Sequence, residues 1–215
     1  MIRLGIAVEG KTEIEFINSV FTEHFLGLGI ATFAVPVGRQ ISHNSVGGNI
    51  SIPRLSHQMS LLYWNSEFVS SFVDYYGFVR KRKMNVDELE KQLKKEVGKR
   101  IKHKWDSRKV IPYIQRHEFE CLSFSDVSKF NSIEKFSSYD TAPLHEVRNS
   151  FKTPEDINDS EMTAPSKRLK RLVNGFDKNV DGPEIAKQIG IEKMRSECPR
   201  FNSWIETLEA LVSST

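Results

Sequence analysis

The stretch Gly5-Ile6-Ala7-Val8-Glu9-Gly10-Lys11-Thr12-Glu13 decides how this chain folds, because it satisfies two motifs that demand different backbones. As a pattern it is GxxxxGKT, the P-loop, whose residues wrap around a nucleotide phosphate. As hydropathy, Ile2, Leu4, Ile6 and Val8 extend one apolar strand through the positions that a P-loop needs as loop. On the second reading the strand ends at Glu9 and Gly10 makes the turn. Thr12 with Glu15 then forms a capping box that opens a helix. Glu9, with Glu13 four residues further on, presents carboxylates at the end of a buried strand, which suits a metal ion better than a phosphate. The strand reading is preferred. Its rival is a nucleotide kinase or NTPase with Lys11 on phosphates, Thr12 on Mg²⁺ and Asp74 ending a Walker B-like strand.

Composition narrows the class. The chain has 215 residues and 39% hydrophobic content, enough for one sizeable α/β domain with an appended part. No apolar run reaches the eighteen residues of a membrane span, and no secretory leader is expected. Cys121 and Cys198 are the only cysteines, which points to a reducing cytoplasm and away from disulfides or a zinc site. The net charge of +3 is modest but unevenly distributed.

Strand and helix patterns alternate. A helix is expected over 12–25, a strand over 30–37, a helix over 53–64 with Pro53 in its first turn, and a strand over 68–73. A helix over 85–104 is led by Asp87 and Glu88, and a fourth strand covers 110–114. The Gly-, Ser- and Asn-rich stretch 38–51 reads as a loop long enough to be functional. Beyond 125 the pattern is helical, with short helices near 140–151, 166–176, 183–187 and 200–212. This predicts an α/β fold with a mainly parallel sheet flanked by helices over residues 1–130, and a helical extension over 131–215 packed on it. There is no internal repeat.

Ligands of such sheets sit outside the carboxyl ends of the strands. Acids recur there: Glu9 after strand one, Asp74 after strand three, and Glu118 and Glu120 after strand four, on one face if that strand persists. Such an oxygen-rich pocket calls for Mg²⁺ or Mn²⁺, which bind through one or two carboxylates, waters and substrate phosphates. Two ions would clamp both oxygens of a phosphodiester. Each acid has a plainer role as well: Glu13 and Glu15 at a helix start, Asp74 in a turn before Gly77, and His117-Glu118-Phe119-Glu120 as an exposed helix start.

The blocks Val8-Glu9-Gly10-Lys11-Thr12-Glu13, Phe72-Val73-Asp74-Tyr75-Tyr76-Gly77, Ile111 to Glu120, Pro154 to Asp159 and Ala164 to Leu169, taken in order, resemble a bacterial domain-of-unknown-function family with a Toprim-like fold. The wider Toprim group includes topoisomerases, primases and the overcoming-lysogenization-defect nucleases, which use a strand-end Glu and an Asp-x-Asp pair around Mg²⁺. Glu9 matches that glutamate and Asp74 the first aspartate, while Tyr76 stands where the second would be. Glu13, Glu118 or Glu120 would compensate as supporting ligands. The resemblance also implies an effector subunit encoded beside an ABC- or AAA-type ATPase in phage-defence loci.

Cationic residues complete the expected site. Lys167 and Arg168 open a helix whose bases are expected to face out, and Lys167 is the candidate phosphate or transition-state stabiliser. Glu155, Asp156 and Asp159 form an acidic turn that would pair with these bases or add a metal ligand. Arg80, Lys81, Arg82 and Lys83, followed by Lys91, Lys94, Lys95, Lys99, Arg100, Lys102, His103 and Lys104, suit nucleic-acid phosphates, or else form an ordinary solvated helix face. Tyr75, Tyr76 and Phe78 would stack on an unpaired base or pack on the sheet. The resulting expectation is a cytoplasmic metal-dependent nuclease, with a P-loop enzyme or a non-catalytic ATPase partner as alternatives.

Overall fold

The computed structural model describes residues 1–38, 50–81, 83–158 and 160–214. Most of the expected loop 38–51, together with Arg82 and Asp159, lies outside the described residues. The chain divides into two compact units, residues 1–115 and 116–214.

The first unit is an α/β layer structure. Strands β1 (Ile2–Val8), β2 (Ile30–Pro36), β3 (Phe68–Asp74) and β4 (Val110–Ile111) lie in the order β2-β1-β3-β4, and β5 (Ile114–Gln115) also pairs with β3. Every pairing among them is parallel. The central strands β1 and β3 are buried on both faces over most of their length, while β2 at the edge is only partly buried, and all three read as largely apolar runs. The expected strand over 110–114 is broken, because Pro112 has no N–H to give to the ladder. Ser71 fills the gap: its Oγ donates to the Tyr113 carbonyl at 2.9 Å and accepts the Tyr113 N–H at 3.1 Å.

Both faces of the sheet are covered. The first helix of the sequence runs as α1 (Lys11–Phe16), a π-helical turn (Ile17–Phe21) and α2 (Thr22–Gly27). It sets Phe16 5.4 Å from Phe72 and continues the aromatic contact through Phe21 to Phe25, with ring centroids 6.2 and 4.4 Å apart. On the other face, α3 (Ile52–Tyr63) and α4 (Val86–Ile101) bury Leu55, Met59, Leu62, Leu89, Leu93 and Val97 against Ala7, Val69 and Val73. Gly5 permits this closeness. A Cβ there would stand 3.1 Å from Leu62 Cδ2 and from Phe33 Cζ.

The second unit is built from short helices: α5 (Ala142–Asn149), α6 (Pro165–Leu172), α7 (Asp181–Ile189), α8 (Ile191–Glu197) and α9 (Pro199–Glu209), with 3-10 turns between several of them. Helix α8 was not expected from sequence. Gly190, in the left-handed region at φ 78°, separates it from α7, and Ile191 and Met194 are its buried residues. Phe119, Leu122, Phe124, Phe130, Phe201 and Ile205 are fully buried. Among the described residues no helix is long and apolar enough to cross a membrane.

Helix α4 begins with a reciprocal cap: Asn85 Oδ1 accepts the Glu88 N–H at 3.0 Å and Glu88 Oε2 accepts the Asn85 N–H at 2.8 Å. Removing the cap residue from such an end costs about 1 kcal/mol. Asn85→Ala should therefore lower the thermal midpoint by about 2–4 °C, the shift expected of that loss in a chain of this size. Circular dichroism melting checks this.

Candidate active site

The P-loop pattern at residues 5–12 does not form a P-loop. Gly5 to Val8 are hydrogen-bonded inside β1, paired with Phe33–Pro36 on one side and Val69–Phe72 on the other. They cannot wrap a phosphate. Lys11 is the exposed first residue of α1. The cap of that helix also differs from the expected Thr12–Glu15 box. The cap position is Gly10, whose N–H is taken by Glu13 Oε2 at 2.8 Å, and Glu15 is exposed. Glu13 is only 4% exposed and thus holds the turn that follows Glu9.

The parallel register brings Glu9 and Asp74 to neighbouring strand ends. Val8 stands opposite Phe72, so the residue after it leaves β1 as β3 reaches Val73 and Asp74. The turn Asp74-Tyr75-Tyr76-Gly77 is fixed by the Gly77 N–H on the Asp74 carbonyl at 3.1 Å. It is pinned again by the Ile50 N–H on the Gly77 carbonyl at 3.0 Å. The half-buried Glu9 carboxylate rests on Gly77. A Cβ added there would lie 2.8 Å from Cδ and Oε1 of Glu9 and closer still to Oε2. Asp74 is 6% exposed. The contact of Gly77 with Glu9 is what the sequence does not disclose; its signal is a glycine three residues after a strand-end aspartate.

The aromatic residues of that turn do not offer open faces. Lys81 Nζ sits 4.0 Å from the Tyr75 ring centroid and 5.2 Å from that of Tyr76, a cation–π cover over both. The Tyr75 hydroxyl donates to the Met84 carbonyl at 2.9 Å, and Phe78 is buried. Beyond Gly77 the chain enters a groove of about 630 Å³ lined in part by Phe78, Arg80, Lys81, Met84, Glu96 and Arg100. Its cations differ in freedom. Arg80 is exposed, whereas Arg100 donates to Ser56 Oγ at 3.0 Å and to the Pro53 carbonyl at 3.1 Å. Lys99 pairs with Glu96 at 2.6 Å, and Lys104 lies 5.7 Å from the Trp64 ring.

The remaining expected site residues belong to the second unit. Glu118 and Glu120 do not alternate along a strand: β5 has ended at Gln115, His117 takes a left-handed φ of 64°, and a 3-10 segment starts at Phe119. Neither an extended strand nor an exposed helix start describes them. Glu118 Oε2 accepts the Ser166 N–H at 2.9 Å, and the fully buried Glu120 faces Lys178 at 3.4 Å. Lys167 is exposed in the first turn of α6. Arg168, expected to face out, is 9% exposed instead; its Nε donates to the Thr163 carbonyl at 2.8 Å and its guanidinium lies over the Phe151 ring at 5.3 Å. Glu155 takes the Arg200 and Phe201 N–H groups at 2.8 and 3.0 Å, capping α9, and Asp156 pairs with Arg116 at 2.8 Å. Burial pushes the Glu155 carboxyl up, and the two N–H bonds oppose that shift.

Among the described residues no group of three or more His, Cys, Asp or Glu side chains is arranged to hold a metal ion. A closed site of the structural-zinc kind does not fit. Two strand-end carboxylates, one filling the space that a side chain at Gly77 would take, fit the open Mg²⁺ arrangement in which waters and substrate supply the other ligands.

The chain belongs to the family described as Domain of unknown function (DUF4276), which matches residues 8–209. No curated protein matches it significantly. Among solved structures it is similar to the C-terminal region of the Xanthomonas campestris pv. campestris OLD protein phased with iodine. That match has 15% identity and a TM-score of 0.46, over 98% of this chain and 95% of that one. The same region phased with mercury matches at 15% identity and a TM-score of 0.37, over 94% and 96% of the two chains.

The Glu155 cap yields a prediction for the second unit. Glu155→Ala strips two N–H groups of α9 of their acceptor and should destabilise the fold by about 1–3 kcal/mol, the penalty for buried donors left unsatisfied. Glu155→Gln, which keeps one acceptor, should recover part of the loss. Chemical denaturation of the three proteins side by side checks it, and equal stability of Glu155→Ala and wild type would contradict it.

Proposed function

We propose that the chain is a metal-dependent phosphodiesterase of Toprim type acting on nucleic acid. The observation that carries this reading is the seating of Glu9 on Gly77, in the turn that begins with Asp74. Two carboxylates from adjacent parallel strand ends are thereby fixed at the edge where ligands of such sheets bind. Glu9 and Asp74 would hold Mg²⁺ or Mn²⁺, and when bound the ion supplies Lewis-acid polarisation of a phosphoryl oxygen.

The chain's own residues do the rest. Glu13, through the Gly10 N–H, keeps the turn after Glu9 from opening. The groove that starts beyond Gly77 carries Arg80, Lys81 and Arg100, which would neutralise phosphates along a bound strand. Lys167, in the second unit, is a candidate phosphate contact on the sequence resemblance alone. Glu118 and Glu120, each engaged within the second unit, are left with a supporting role at most. The proposed setting is an effector subunit of an anti-phage system, restrained and released by an ABC- or AAA-type ATPase. That setting rests on the block resemblance alone.

One observation favours a second reading. Tyr76 occupies the place of the second acid, and its ring lies beneath Lys81. A non-catalytic subunit that keeps the Toprim-like surface for its ATPase partner would look like this.

The test is cleavage of labelled single- and double-stranded DNA and RNA by the purified chain, alone and with its ATPase partner, in Mg²⁺ or Mn²⁺. Glu9→Gln and Asp74→Asn should each lower the rate about a hundredfold or more, as loss of a transition-state contact does. Lys11→Ala should change it little. Chelator-resistant cleavage surviving both carboxylate substitutions would exclude the mechanism. Tight ATP binding lost in Lys11→Ala and spared in Glu9→Gln would restore the NTPase alternative.

Gly77→Ala is the sharper variant. The φ of Gly77 is not in the positive range, so alanine suits the backbone, but its methyl would displace the Glu9 carboxylate. Cleavage should fall as far as in Glu9→Gln while the melting midpoint moves by only a few degrees. Full activity in Gly77→Ala would show that the seat is dispensable.

A further inference from the structure

The strands of the first unit begin at an edge remote from Glu9, and that edge carries its own concavity. Seven-residue strands rising 3.3 Å per residue separate the two edges by about 20 Å. The hollow, of about 610 Å³, is lined by Arg3 at the start of β1, Trp64 and Glu67 before β3, and Lys104, Asp106 and Lys109 before β4. Trp64 is 56% exposed there, although it ends a helix whose apolar face is buried.

A lone exposed tryptophan needs no explanation, but this one is held in place. Tyr63 meets its ring edge-on, with centroids 5.5 Å apart and planes at 81°, and Tyr63 in turn stacks on Trp105 at 6.0 Å. The Tyr63 hydroxyl donates to the Lys104 carbonyl at 2.7 Å and accepts the Asp106 N–H at 2.8 Å, tying the lysine-bearing loop to the end of α3. Lys104 Nζ is consequently 5.7 Å from the Trp64 ring, and Lys109 Nζ is 4.3 Å from that of Tyr63.

The acids of the hollow cancel these cations only in part. Both Asp106 oxygens are taken by the Arg108 guanidinium, at 3.0 and 2.8 Å, and hydrogen bonding to Arg108 lowers its carboxyl to about 2. Glu67 accepts the Arg3 N–H at 2.8 Å. What remains is a fixed indole ring, more than half exposed, that Lys104 approaches less closely than Lys81 approaches Tyr75, with a second ammonium, Lys109, against Tyr63. That is the composition of a platform on which an unpaired base stacks while flanking phosphates meet lysines. A duplex, with its bases already stacked, cannot offer such a face.

We infer that the strand-start edge of the first unit is a single-stranded nucleic-acid site, with a base on Trp64 and neighbouring phosphates on Lys104 and Lys109. The inference shares only its ligand class with the catalytic reading above. A substrate engaged here would be captured about 20 Å from the carboxylates, the span of the sheet.

The test is binding, in EDTA so that cleavage plays no part. Labelled short oligothymidylate and oligouridylate are titrated by fluorescence anisotropy against wild type, Trp64→Ala, Trp64→Phe, Lys104→Ala and Lys187→Ala, all checked by circular dichroism. Trp64→Ala should bind about 5- to 100-fold more weakly, the loss of one stacked base, and Trp64→Phe should restore most of it. Lys104→Ala should reduce the salt dependence by about 0.7 in log–log slope, one single-strand phosphate contact. Lys187→Ala, which removes an exposed lysine of α7, should bind as wild type. No binding by wild type, unchanged affinity in Trp64→Ala, or equal competition by a duplex would each overturn the site. So would loss of ATPase association in Trp64→Ala with oligonucleotide affinity intact, which would mark the hollow as a protein contact. Absence of cleavage in Mg²⁺ beside normal Trp64-dependent binding would instead count against the catalytic reading alone.

Discussion

The parallel register of β1 on β3 is the constraint from which the carboxylate site follows. Val8 opposite Phe72 fixes where both strands stop, and so places Glu9 beside the turn that Asp74 opens. That register is held by packing, not by the acids. Phe72 must meet Phe16 on one face while Ala7, Val69 and Val73 meet α3 and α4 on the other. A slip of one residue would turn every side chain of a strand to the opposite face, putting Phe72 among aliphatic helix residues and removing it from the aromatic cluster. The core thus specifies the geometry of the site at its edge, which it reaches through Ile50 and Phe78.

Carboxylates so placed are costly unless something answers their charge. Glu13 is answered within the chain by the Gly10 N–H at the start of α1, where the helix dipole also favours an anion. This separates two acids that look equivalent in sequence. Glu13 is spent on local structure, whereas Glu9 is held against a glycine whose missing side chain is what makes room for it. The pair at the edge is Glu9 with Asp74, not Glu9 with Glu13.

Much of the first unit was legible in the sequence because its strands, the central two of them buried on both faces, read as apolar runs between turn residues. The bounds of β1, β2, β3, α3 and α4 lie close to those expected. The acids after β5 were misread because alternation was carried past the point where the strand had ended. Pro112 had already interrupted the ladder, and the left-handed backbone at His117 broke the period. Arg168 was misread for a different reason. Charge was taken as a mark of exposure, yet Pro165, Arg168, Leu169 and Leu172 share the i, i+3, i+4, i+7 stripe of α6. Spacing on that stripe outweighs residue type once Thr163 and Phe151 offer the guanidinium an acceptor and a ring. What no spacing discloses is contact between distant segments, which is why Gly77 reads in the sequence as a turn residue and not as the seat of Glu9.

The glycines of the opening motif have separate structural causes. Gly5 is small because α3 packs on β1 through Leu62, and Gly10 is the cap position whose N–H Glu13 takes. Neither bends around a phosphate, and Lys11 faces solvent from the first turn of a helix. GxxxxGKT therefore arises here from two unrelated demands, close helix–sheet packing and a helix start, that fall five residues apart in one strand–turn–helix unit. A true P-loop needs its glycines in the loop itself. The apolar alternation of Ile2, Leu4, Ile6 and Val8 already placed the first of them in a strand. Where a short pattern and hydrophobic periodicity disagree, the periodicity carries more weight, because it reflects the burial of a whole element and the pattern only a few positions.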